Sequence, residues 1–343
     1  MLELAEKLKK FCDVAILSST KVNDLCKPVF SLSRGEISGN KCLNKFVKGI
    51  LGNFSSAPDV VIEHLSSFMP VFFELMKNDY DVLFPNNDWG GLMVASAVRK
   101  IKGTPIIFTE HNGLVDKGKS ALRNLRFLPD RYIVLSNEME FWVKRNFPQV
   151  NVRYIPNGVN LERFNSNVSK QYFDLEGPII LAAGKNKPFK RLEYVINAVS
   201  KLKKGSLLML SSGENLDILE DKGCKLLGNE RFKLLSASYS EMPSYYKSCD
   251  VFTLPSIQEP FGLVYLEAMA CNKPVVAPDD YSRMDIIGEA GILCDVRDID
   301  AYANSLKIAA RSDFGSIPIN QAKKFSWDIC AERYFETISS LIA

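Results

Sequence analysis

"PSIQEPFGLVYLEAMACNKPVVAP" (255–278) carries two glutamates, Glu259 and Glu267, with seven residues between them. The preceding run "VFTLPS" reads as a buried strand, and Glu259 falls in the loop after it. A helix is expected to start at Phe261 or Gly262. Its free N–H groups and its dipole suit an anion or sugar hydroxyls. Gly262 lets a ligand come close to the backbone. Glu267 then lies about 8 Å further along the helix, at ~1.5 Å per residue. Carboxylates hold vicinal hydroxyls well, because each accepts several hydrogen bonds. A ligand with two polyol groups joined by phosphates spans such an arrangement, and a nucleotide sugar is one.

Working outward, the same half of the chain alternates short apolar runs with helical stretches. "IILAAG" (179–184) precedes a helix over Arg191 to Lys203, and "LLMLSS" (207–212) precedes another. "FKLLSA", "VFTLPS", "PVVAP" and "AGILC" continue the rhythm. Runs without polar alternation imply strands buried on both faces. Strands separated by helices imply parallel βαβ units. The first half repeats the pattern in "CDVAILSS", "PVFSL", "YDVLFPN", "PIIFTE", "YIVLS" and "VRYIPN". Two doubly wound α/β domains are expected, divided by the polar, patternless stretch "NLERFNSNVSKQYFDLEG" (160–177). Ligands of such folds sit beyond the carboxyl ends of the strands.

One of those strand ends is strongly basic. "AAGKNKPFKRLEYVINA" puts Lys185, Lys187, Lys190 and Arg191 directly after Gly184. Cations beside a helix start can hold a diphosphate and stabilise its charge as it leaves. A solvated basic loop is the plainer reading. The two glutamates in the same domain favour the functional one.

The 343 residues are 46% hydrophobic and 24% charged, an ordinary globular composition. No run approaches the ~18 apolar residues of a membrane span. The start, "MLELAEKLKKFCD", reads as an amphipathic helix end and not as a signal peptide. Eight scattered cysteines with no C-x-x-C pair, and two histidines, argue against a zinc site and for a reducing cytoplasm. The net charge of +3 is too small to imply nucleic acid. Residues 1–165 carry 22 Lys and Arg against 17 Asp and Glu, a weak pull toward anionic partners.

Three other motifs compete. "GLVDKGKS" (113–120) matches the phosphate-loop pattern G-x-x-x-x-G-K-[ST]. Its strand ends early, near Glu110, and Pro129 soon stops the following helix, so a nucleotidase is disfavoured. Asp298-Ile-Asp300 looks like a metal-binding D-x-D but reads better as a helix cap, and no metal is expected. "NKCLNKFVKGILGNF" (40–54) pairs lysines with an apolar face. It reads as an amphipathic helix on its own sheet, with a membrane-surface helix as the lesser alternative. G-x-G-x-x-G occurs nowhere, which argues against an oxidoreductase.

Taken together, these segments resemble the retaining glycosyltransferases of family 4, whose GT-B fold has two Rossmann-like domains facing a central cleft. "EPFGLVYLEAMACNKPVVA" resembles that family's E-x7-E motif, and "IPNGVNLERF" (155–164) its inter-domain signature. "GKNKPFK" is similar to its diphosphate clamp, "FTEHNG" to its histidine-ended strand, and "FSWDICAERYFETI" to its terminal helix. The resemblance implies an N-terminal acceptor-side domain over 1–165, joined by the helix 328–343, and a nucleotide-sugar domain over 166–327. It implies that Glu267 holds ribose hydroxyls and Glu259 hydroxyls of the transferred sugar. Lys185 and Lys190 would hold the diphosphate. The backbone of Phe261, Gly262 and Leu263 would contact sugar and phosphate, and His111 would project near the reacting sugar. A histidine merely ending a strand is the plainer reading of His111.

By the same resemblance the reaction moves a sugar from a nucleotide-diphosphate donor to a hydroxyl of a glycan, lipid or small-molecule acceptor. Configuration is retained, with no metal or further cofactor. The chain would work in the cytoplasm, with room for a peripheral membrane contact through its N-terminal domain. A catalytically weak sugar-nucleotide-binding protein and a GT-B epimerase are the alternatives. There are three departures from the family pattern. Lys185 stands where an arginine is usual, "PDDYSRMDII" lacks paired glycines, and the chain opens on what looks like the tail of the family's first helix. A strand and a glycine-rich loop are expected to be missing there, leaving the first domain looser.

Overall fold

The computed structural model describes residues 2–19, 23–40, 45, 58–86, 89–257 and 259–342. They form two compact units. One comprises Met1–Leu135, Met139–Ile155 and Ala331–Ala343, and the other Ser136–Glu138 and Pro156–Cys330. The chain therefore passes to the second unit at Pro156, ahead of the polar stretch 160–177. Packing explains this. Val159 bridges to Ser326, Cys330 Sγ donates to the Pro156 carbonyl at 3.2 Å, and the Phe164 ring lies 6.0 Å from that of Tyr246.

Among the described residues the first unit holds two parallel ladders. β1 (Ile16–Ser18) pairs with β2 (Cys26–Pro28). β3 (Ile107–Glu110), β4 (Arg131–Val134) and β5 (Val152–Tyr154) pair in that order. The run "YDVLFPN" gives only isolated bridges, Leu83 to Ile106 and Asn86 to Thr109. Pro85 falls between them and has no N–H to donate, which limits a ladder there. β2 ends at Pro28, and Val29 still donates its N–H to the Ser18 carbonyl at 2.8 Å, so "PVFSL" is not a strand beyond that bond. The helix Trp89–Lys102 and β3–β5 share a core of Leu92, Val98, Ile106, Phe108, Tyr132 and Val134. The last helix, Trp327–Ile342, adds Tyr334, whose hydroxyl lies 2.8 Å from Thr109 Oγ1. Arg153 donates to Thr337 Oγ1 at 2.8 Å and to Glu336 at 2.7 Å.

The second unit is built on one parallel sheet. β6 (Ile179–Lys185), β7 (Ser206–Ser212), β8 (Phe232–Leu235), β9 (Val251–Thr253), β10 (Val275–Pro278) and β11 (Gly291–Cys294) stand in the order β11-β10-β9-β6-β7-β8. Ile180, Leu181, Leu207, Leu208, Val251 and Val275 are fully buried, as strands covered on both faces must be. The chain runs outward from β6 through β7 and β8, then returns to β9 on the other side of β6. The order reverses between β6 and β9, and a doubly wound sheet binds its ligands at the carboxyl ends beside such a reversal.

Candidate functional site

Two loops leave the sheet at that reversal. After β6, a single 3-10 turn spans Pro188–Lys190, and Arg191 takes a left-handed conformation with φ 52° before the helix Leu192–Ser200. After β9, residues 254–262 lead to the helix Leu263–Ala270. The loops are joined by an ion pair between Lys190 Nζ and Glu259 Oε2, with both side chains 17% exposed. Ser256 Oγ donates to the same carboxylate oxygen at 3.1 Å. Lys185 ends β6 as an exposed side chain.

The helix begins at Leu263, a residue or two later than its sequence suggests, because Gly262 is not helical. Gly262 has φ 90°, a conformation other residues adopt only with strain, and a Cβ there would stand 2.6 Å from the Tyr265 ring. Among the described residues no side chain caps this helix, so its first N–H groups are left for solvent or a ligand, apart from that of Tyr265, which reaches the Gly262 carbonyl at 3.1 Å. Phe261 is buried, its ring 6.4 Å from that of Phe325. The loop is held from beneath. Tyr265 donates its hydroxyl hydrogen to the Leu254 carbonyl at 2.7 Å. The buried Arg283 donates to Asp280 Oδ1 at 3.1 Å and to the Ser256 carbonyl at 3.3 Å. Arg283 lies in "PDDYSRMDII", and nothing in that segment announced its role.

Glu267 is 7% exposed. Burial pushes its carboxyl up to about 7, against a hydrogen bond from Tyr246 and the charge of Arg163, both of which favour the ionised form. The Tyr246 hydroxyl donates to Glu267 Oε2 at 2.8 Å.

His111 belongs to the first unit, after β3. The turn that carries it is anchored by its neighbour Glu110, which is 1% exposed. Glu110 accepts from the Asn112 N–H at 3.0 Å, Asn124 Nδ2 at 2.8 Å and the Tyr132 hydroxyl at 2.9 Å. Burial pushes His111 down to about 4, so the imidazole is neutral at physiological pH. Its Nε2 is buried and has no partner among the described residues.

Two of the competing motifs fall in a turn and a helix cap. Val115–Gly118 form a 3-10 turn and Gly118 a left-handed helix start at φ 72°, while Ser120 Oγ accepts from Asn112 at 3.0 Å. Phosphate loops wrap their ligand before a full helix, and this turn leads into only seven helical residues. Asp298 caps the helix Ile299–Ala309, accepting from the N–H groups of Asp300 and Ala301 at 3.0 Å each. Most of "NKCLNKFVKGILGNF" lies outside the described residues. A pocket of about 500 Å³ opens beside Arg191, Ile257, Asp279 and Asp295, and none of Lys190, Glu259 and Glu267 lines it. Among the described residues no helix is long and apolar enough to cross a membrane.

Comparison with known proteins bears on the family and the fold. Residues 1–163 match the family model described as Glycosyltransferase Family 4, and residues 164–324 that described as Glycosyl transferases group 1. An uncharacterized glycosyltransferase of Methanocaldococcus jannaschii is 29% identical over 289 residues, covering 74% of this chain and 73% of its own. The sucrose-phosphate synthase of Thermosynechococcus elongatus superposes with a TM-score of 0.74 at 20% identity, over 99% of this chain and 92% of its own. HepE of Anabaena, solved in complex with UDP, has a TM-score of 0.65 at 19% identity, over 82% of this chain and 84% of its own.

Proposed function

Because the chain belongs to the family 4, group 1 glycosyltransferases of GT-B fold, we propose that it transfers a sugar from a nucleotide-diphosphate donor to a hydroxyl acceptor with retention of configuration. One observation carries this reading. An ammonium and a carboxylate, Lys190 and Glu259, stand paired at the reversal of the sheet, beside a helix start that no side chain among the described residues caps. Lys190 and Lys185 would hold the diphosphate, with the N–H groups at Gly262 and Leu263. Glu259 would take hydroxyls of the sugar and Glu267 those of the ribose. Phe261 would set the backbone between them, and His111 would meet the sugar as a neutral imidazole. UDP bound to the HepE relative supports a nucleotide donor of this kind.

In the reaction the acceptor oxygen bonds to the anomeric carbon as the bond from that carbon to the diphosphate breaks. The acceptor proton passes to a diphosphate oxygen, and the lysines stabilise the charge that the leaving group gains. No side-chain nucleophile, metal or further cofactor takes part. Cytoplasmic work fits the free thiols of the described residues. The test is nucleotide release from UDP-, GDP- and ADP-sugars with and without glycan and lipid acceptors, in chelator, with the product anomer read by proton NMR. Acceptor-dependent release with the donor's anomeric configuration supports the proposal. An inverted product, or release only after magnesium or manganese is added, contradicts it.

A further inference from the structure

Two buried carboxylates in this protein differ in how fully they are bonded. Glu110 receives three donors and has little capacity left. Glu267 receives one, from Tyr246, although its environment is nearly as dry. Tyr246 is fully buried, and burial together with the nearby carboxylate raises its hydroxyl well above the usual range. It stays protonated, so toward Glu267 it can only donate. Its ring meets Phe164 and Phe252 edge-on, with centroids at 6.0 and 5.3 Å. Phe164 in turn touches Tyr239 at 5.6 Å, and the Arg163 guanidinium lies 4.7 Å over the Tyr239 ring.

We infer that Tyr246 is a positioning residue of the donor site: held by Phe164 and Phe252, its hydroxyl pins Oε2 of Glu267 and leaves the other oxygen for a ribose hydroxyl. The inference rests on the proposed role of Glu267. Among the described residues the groups that face Glu267 are few. Tyr246 comes from the helix Met242–Ser248, Arg163 from the segment before β6, and Cys271 from the cap that ends Glu267's own helix. Burial pushes the Cys271 thiol up to about 12, so it does not titrate with Glu267. A hydroxyl-holding carboxylate is needed in its ionised form, which the Tyr246 hydrogen bond favours.

The test is the affinity for UDP-glucose, GDP-mannose and ADP-glucose, whose diphosphates do not titrate between ~pH 5.5 and ~9, measured across that range. For whichever donor binds tightest, the unaltered protein should lose affinity as pH falls below about 7. Tyr246→Phe keeps the ring and its packing but removes the donor. Its midpoint should move up by about one pH unit, with affinity recovering at high pH. A midpoint left where it was, with or without uniform weakening, overturns the inference. Glu267→Gln should bind weakly with a flat profile. If it binds as the unaltered protein does at every pH, the role of Glu267 fails and the inference with it. If none of the three donors binds, the donor-site reading beneath both is wrong.

Discussion

The ammonium of Lys190 and the carboxylate of Glu259 form an ion pair that ties the turn after β6 to the loop after β9. These are the two strands between which the sheet order reverses. The pair therefore closes the seam where a doubly wound sheet presents its ligand site.

Cutting the pair from the carboxylate side should separate the two glutamates. Glu259→Ala frees Lys190 for a diphosphate, so nucleoside-diphosphate affinity should hold or improve while transfer slows. Glu267→Ala should weaken the same affinity by about 10- to 100-fold, the size of one lost hydrogen bond to a charged group. Calorimetric titration of both variants checks this. Equal losses of affinity in the two contradict the division of roles.

Gly262→Ala should be destabilising by roughly 1–3 kcal/mol, because φ 90° strains any residue with a Cβ and the methyl meets the Tyr265 ring. Urea midpoints measure the loss. A variant as stable as the parent means that the loop has another conformation.

Glu267 and His111 should give opposite pH signatures. The Glu267 carboxyl rises from 4.5 to about 7 on folding, so the folded state holds a proton that the unfolded chain lacks. Its contribution to stability is complete below 4.5 and is lost as pH rises to about 7. His111 falls from 6.5 to about 4, so its contribution is complete above 6.5 and is lost as pH falls toward 4. Each amounts to about 3 kcal/mol at most, at 1.36 kcal/mol per unit. Glu267→Gln should remove the loss on the alkaline side, and His111→Gln the loss on the acid side. Urea unfolding across this range decides it, and unchanged slopes contradict the burial argument.

Asp298→Ala should lower stability by about 1 kcal/mol through the lost helix cap and leave transfer unchanged. Loss of activity rescued by a divalent cation would instead make Asp298-Ile-Asp300 a metal motif.

The parts of the protein legible in its sequence are those with local causes. The apolar runs of the second half are strands because burial on both faces leaves no polar alternation, and β6 to β11 fall on them. Glu259 and Glu267 stood out because one short segment holds both. Tyr246 did not, since it reaches Glu267 from a helix 21 residues earlier in the chain. Arg283 was hidden for the same reason, being 27 residues from the carbonyl it holds. Gly262 was visible as a glycine but not as a left-handed turn, which is why the helix starts later than expected. The first half was less legible, because Pro85 removes a ladder donor from a run that otherwise reads as a strand and "PVFSL" leaves its ladder just after Pro28.

The central claim is that the donor's diphosphate is held at the β6–β9 seam and not at the glycine-lysine-serine turn of the first unit. A titration of UDP, GDP and ADP into the parent, Lys190→Ala and Lys119→Ala tests it most directly. Lys190→Ala should bind about 10- to 100-fold more weakly, the loss of one charge-assisted contact, and Lys119→Ala should bind as the parent does. The reverse ranking would contradict the account and return the phosphate site to residues 113–120.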